Sequence, residues 1–119
     1  MSGYTVDFFI KKFSKIPDSK WCKGSYSKGD MYCALGHCGE TDSGKSTDES
    51  RALINLFLNR ETQDYTSVAD INDGRIRYGT IAKEYMPIVE KLKTPKARIL
   101  AALRKLKGRK RSKKRKKVK

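Results

Sequence analysis

At 119 residues the chain has room for one domain with a small hydrophobic core, and it carries 28 Lys and Arg against 13 Asp and Glu, a net +15. Ten of those cations and none of the acids fall between Lys107 and Lys119, so residues 1–106 hold 18 cations against 13 acids, only +5. No run approaches eighteen apolar residues, which excludes an apolar spanning helix.

In chain order, Thr5 can cap a first helix whose apolar residues Val6, Phe9, Ile10, Phe13 and Ile16 follow helical spacing until Pro17 stops it. Two short stretches, Trp21 to Ser27 and Met31 to Leu35, flank the turn-like triplet Lys28-Gly29-Asp30 and suggest one short hairpin, although Cys33-Ala34-Leu35 equally suits the start of a helical turn. Ser46 with Glu49 reads as a capping box for a second helix, with Ala52, Leu53, Leu56 and Phe57 as its apolar stripe ending near Asn59. Arg60 to Thr66 is polar and reads as a loop. Val68 and Ile71 support no more than about one helical turn before Asn72-Asp73-Gly74, where Gly74 can take positive φ and reverse the chain. Thr80 to Leu92 reads as a helix bent or divided by Pro87, with Ile81, Tyr85, Ile88, Val89 and Leu92 on one side. Thr94-Pro95 then starts a last helix with Ile99, Leu100, Leu103 and Leu106 facing inward. Its outer side is assigned Arg98, Arg104, Lys105 and Lys107.

The expected architecture is a small, mainly α domain of four or five helices with one short hairpin, α+β being the alternative, over residues 1–106. Residues 107–119 form a separate Lys/Arg-rich tail, expected to be disordered because like charges repel and only Val118 could be buried. Nucleic acid, DNA or RNA, is the expected polyanion, because neutralising phosphates releases counterions whatever the base sequence. The residues assigned to it are Arg98, Arg104, Lys105, Lys107, Arg109, Lys110, Arg111, Lys113, Lys114, Arg115, Lys116 and Lys117. Arg75, Arg77, Tyr78, Lys83 and Tyr85 mix cations with aromatics and could extend that surface, though a solvated face is the simpler reading.

The only tryptophan, the only histidine and all three cysteines lie between Trp21 and Gly39. Cys22, Cys33, His37 and Cys38 are the right residue types for a zinc site, but their spacing lacks paired knuckles and His37 adjoins Cys38. Cys33 or Cys22 could serve as a nucleophile with His37 as base; a buried apolar role for the thiols is the simpler reading. An odd cysteine count and an N-terminus unlike a secretory signal point to a reducing cytosolic setting without a disulfide framework. Gly39 to Ser46 fits G-x-x-x-x-G-K-[ST] letter for letter, but lacks a strand leading in and places Glu40 and Asp42 where phosphate would sit, so nucleotide binding is not expected. No cofactor and no small-molecule substrate is expected.

W-C-K-G at Trp21 to Gly24, C-A-L-G at Cys33 to Gly36 and S-V-A-D-I-N-D at Ser67 to Asp73 together resemble a family of small uncharacterised phage and bacterial proteins. The resemblance implies a compact helical domain in a phage-like setting and assigns no activity. The chain departs from it in His37-Cys38 and in the basic tail. The functional expectation is therefore a small phage-like or bacterial accessory protein that binds nucleic acid non-specifically, located in the host cytoplasm or associated with the genome or virion, where phage structural proteins could be partners. A protein-binding or inhibitor module using residues 21–39 is the alternative, and a cysteine-dependent enzyme the third.

Overall fold

A computed structural model describes residues 4–24, 27–41, 45–59, 64–75, 81 and 83–118, and their side chains except at 59, 64, 65, 83 and 109–118. Among the described residues the fold is mainly α, with six α-helices and two hairpins of two residues per strand. None of these helices is long and apolar enough to cross a membrane.

The first helix, α1 (Val6–Ser14), starts where expected: the Thr5 hydroxyl accepts from the Phe8 amide, and Val6, Phe9 and Phe13 are buried. The chain then turns through a short 3-10 segment, Asp18–Lys20, into Trp21, whose ring meets Phe13 edge-on at 5.2 Å. The hairpin of β1 (Ser27–Lys28) and β2 (Met31–Tyr32) pairs antiparallel around Gly29-Asp30, with Gly29 at positive φ. Directly after it comes α2 (Ala34–His37), so the segment supplies both the hairpin and the helical turn.

Helix α3 (Asp48–Leu56) begins one residue later than the sequence pattern predicts. Its capping box is Thr47 with Ser50: the Thr47 hydroxyl accepts from the Ser50 amide at 3.0 Å, and the Ser50 hydroxyl accepts from the Thr47 amide at 2.9 Å. Glu49, expected in that role, instead pairs with Lys12 of α1. The polar stretch from Arg60 to Thr66, read as a loop, supplies one strand of a second hairpin, β4 (Asp64–Tyr65), which pairs antiparallel with β3 (Leu58–Asn59) just before it. Strands of two residues are too short to show an alternating pattern, which is why the sequence conceals them.

Helix α4 (Val68–Asp73) ends at Gly74, whose φ of 71° is the left-handed cap expected of it. Pro87 opens α5 (Met86–Lys91) at its first turn rather than bending a longer helix, consistent with a ring that presets helical φ and needs no amide donor there. The last helix, α6 (Pro95–Val118), starts on Thr94, whose hydroxyl accepts from the Ala97 amide. It packs against α1, α2, α4 and α5, and Ile99, Leu100, Ala102, Leu103 and Leu106 are buried there. Truncating such a residue, for example Leu103→Ala, is expected to cost about 2–5 kcal/mol.

The backbone of α6 runs on through Val118. Lys and Arg are good helix formers and no proline follows Pro95 to interrupt the run.

Candidate nucleic-acid interface

Helix α6 joins the two halves of the charge distribution. Its first three turns are fixed by the buried Ile99, Leu100, Leu103 and Leu106, and beyond Leu106 the only apolar residue is Val118. Arg104 and Lys105 are exposed, as the sequence pattern predicts. Lys107 is half-buried, and its ammonium lies 2.6 Å from an Asp7 carboxylate oxygen. Arg109, Lys110, Arg111, Lys113, Lys114, Arg115, Lys116 and Lys117 occupy the continuing backbone, with side chains outside the description.

Arg98 does not belong with them. It is only 4% exposed, and its guanidinium donates to three backbone carbonyls: Nε to Ile71 at 2.9 Å, Nη2 to Asn72 at 2.7 Å and Nη1 to Leu92 at 3.0 Å. Ile71 and Asn72 lie in the last turn of α4, where carbonyls lack helical partners and carry the negative end of the helix dipole. Arg98 therefore caps one helix from another. Burial pushes its pKa down, while the Asp73 charge pushes it back up. Gly74 leaves the space for it: a Cβ there would stand 2.8 Å from the guanidinium carbon.

The same corner gathers the three motifs singled out in the sequence. The Asn72 side chain is fully buried; its amide nitrogen donates to the Cys22 carbonyl at 2.9 Å, and its oxygen accepts the Ala34 amide at 3.0 Å. Asp73 accepts the Gly24 amide at 3.0 Å. W-C-K-G, C-A-L-G and N-D-G are thus stitched together by backbone groups, and Asn72-Asp73 does structural work beyond the turn expected of it. Oxygen and nitrogen on Asn72 are distinguished by this network, since one side faces a donor and the other an acceptor.

Cys22, Cys33 and Cys38 are all buried and none is in a disulfide. The Cys33 sulfur caps α2 by accepting the Gly36 amide at 3.4 Å, and burial pushes its thiol pKa up. Burial raises the Cys38 thiol strongly, helped by the nearby Glu49 carboxylate. His37 points elsewhere: its Nε2 meets the Lys20 carbonyl at 3.1 Å, its ring lies against Trp21 and Tyr32, and desolvation lowers its pKa. As catalytic candidates, Cys33 and His37 are therefore engaged with different backbone groups, and protonated thiols are poor nucleophiles. Among the described residues no three of His, Cys, Asp and Glu gather to hold a metal, Cys22, Cys33, His37 and Cys38 included.

The G-x-x-x-x-G-K-S stretch follows helix α2 rather than a strand, and Ser46 accepts from the Arg51 guanidinium at 2.7 Å. Its residues 42–44 lie outside the described residues. Of the mixed basic and aromatic group, Tyr85 is buried edge-on against Phe57 and cannot stack on a base, and Arg75 reaches Asp73 at 3.5 Å. Arg77, Tyr78 and the Lys83 side chain lie outside the described residues. No protein-family model, no curated protein and no solved structure matches this chain.

Proposed function

We propose that the protein is a small phage-like or bacterial accessory protein that binds nucleic acid without sequence specificity, in the host cytoplasm or associated with a genome or virion. The observation that carries this reading is one helix, α6, whose first turns are fixed in the core and whose remainder is a run of cations without an acid. Ten cations within 13 residues of sequence suit a phosphate backbone, DNA or RNA, which they can neutralise whatever the base sequence. Arg104 and Lys105 extend the surface onto the body; Arg98, whose donors are spent on carbonyls, does not. The alternative of a protein-binding face at residues 21–39 has less support, because Asn72, Asp73 and Lys20 engage backbone groups or side chains of that stretch. Binding to random duplex and single strands, followed across salt with and without residues 107–119, tests the proposal. Loss of affinity and of salt dependence on deletion supports it, and unchanged binding refutes it.

A further inference from the structure

The antiparallel pair α1 and α6 is pinned at both ends by contacts between the helices. Lys107 of α6 reaches Asp7 in the first turn of α1, and Lys96 in the first turn of α6 donates to the Ser14 carbonyl at 3.2 Å at the end of α1. Between these points, helical spacing places Lys11 one turn after Asp7 and Arg104 one turn before Lys107, so both lie on the solvent side of one seam. Lys15 continues the line at the end of α1, and Lys11, Lys15 and Arg104 are all exposed. Together α1 and α6 contain a single acid, Asp7, and Lys107 neutralises it.

We propose that the exposed Lys11, Lys15 and Arg104 form a phosphate-contacting strip on the body, between the pinning contacts of Lys96 and Lys107, distinct from the run beyond Gly108 and leading into it. The inference rests on the nucleic-acid reading above and extends it to a folded surface with a defined direction. Eleven residues of α6 separate Lys96 from Lys107, about 16 Å, which faces on the order of five phosphates of one duplex strand. Fixed charges along a helix pair also hold the strand in register with α6, so a phosphate backbone tracked by the strip is delivered to the cationic run.

The test is the slope of log affinity against log salt for random duplex DNA, measured on full-length chains. The triple variant Lys11→Ala, Lys15→Ala, Arg104→Ala is expected to lower the slope by about 2–3, since each lost phosphate contact removes about 0.9. A control triple, Lys23→Ala, Lys28→Ala, Lys45→Ala, takes three exposed cations from outside both helices and is expected to change it by less than about 1. Glutamine variants at the same three strip positions carry the measurement if circular dichroism shows the alanine triple unfolded. An unchanged slope in the strip triple, or an equal fall in the control, overturns the strip while leaving the function standing. Absence of binding by the wild-type chain overturns both.

Discussion

The Arg98 guanidinium donates to the Asn72 carbonyl at 2.7 Å, tying the middle of the chain to its last helix. Asn72 in turn binds Cys22 and Ala34 through its side chain, so a single corner holds four separated segments. Arg98 is therefore a structural cation in a protein whose other cations face solvent in large number.

Replacing Arg98 separates these two roles. Arg98→Lys supplies one ammonium where three carbonyls need donors, and is expected to destabilise the fold by about 2–4 kcal/mol, because buried carbonyls lose charged partners. Chemical denaturation measures that loss. The salt slope of nucleic-acid binding at a temperature where the variant is folded should match the wild type; a reduced slope would mean that Arg98 reaches phosphate.

Gly74→Ala is expected to cost about 1–3 kcal/mol for two reasons that act together. The residue sits at φ 71°, which L side chains rarely adopt, and its Cβ would press on a guanidinium that three hydrogen bonds hold in place. Thermal unfolding of the variant checks this, and a melting temperature equal to wild type would contradict the packing described.

Asn72→Asp keeps the shape and the acceptor for Ala34 but removes the donor to Cys22 and puts a carboxylate beside Asp73. A loss of about 2–3 kcal/mol is expected near neutral pH, shrinking as acid protonates the new carboxyl and restores a donor. Unfolding curves at neutral and acid pH, each compared with wild type, read the difference directly.

The three thiols should resist alkylation in the folded protein. All are buried, and burial pushes the Cys33 and Cys38 pKa up, so little thiolate exists at neutral pH. A thiol reagent should modify them only as fast as the protein opens, and in denaturant all three should react. Rapid modification of one thiol under native conditions would revive the nucleophile reading.

His37 gives a pH dependence of definite sign. Desolvation, with Lys12 adding to it, lowers its folded pKa below the unfolded value of about 6.5, so the unfolded chain takes the proton more readily. The stability that neutral His37 contributes is complete above about 6.5 and is lost as pH falls through the lowered folded pKa. His37→Gln keeps a donor for the Lys20 carbonyl without titrating. Its stability should therefore fall less between pH 7 and 5 than that of the wild type, and parallel curves would refute the role.

Much of the fold was legible because its signals are local. Thr5, Gly74 and Thr94-Pro95 mark helix ends by the chemistry of one or two residues, and the structure uses each as expected. The corner around Asn72 was not legible. Its partners are backbone carbonyls and amides up to 50 residues away, and backbone groups leave no trace in residue identity. Arg98 did carry a signal: it stands one turn before the fully buried Ala102 and beside Ile99, within the buried arc of α6. Its charge suggested solvent, and the carbonyls of Ile71, Asn72 and Leu92 that accept its donors explain why it can be inside. The strip proposed for Lys11, Lys15 and Arg104 has no linear motif, because it is shared by two helices distant in sequence.

Beyond Leu106 the continuation of α6 lacks an apolar face, and Gly108 costs about 1 kcal/mol relative to alanine. The sequence also sets cations four apart at Arg109 and Lys113, Lys110 and Lys114, Arg111 and Arg115, and Lys113 and Lys117, each pair costing a few tenths of a kcal/mol. Helix content there should accordingly rise when phosphate neutralises these charges. Far-UV circular dichroism should show a gain of several helical residues on adding duplex DNA, and no gain when residues 107–119 are absent.

The most direct test of the central claim is the salt dependence of duplex binding by the full chain and by a chain in which the cations from Arg109 to Lys117 are glutamine. The wild type should lose affinity steeply with salt, with a slope steeper than about −4, and the substituted chain should lose at least half of that slope. Equal slopes in the two proteins, or binding that does not respond to salt, would contradict it.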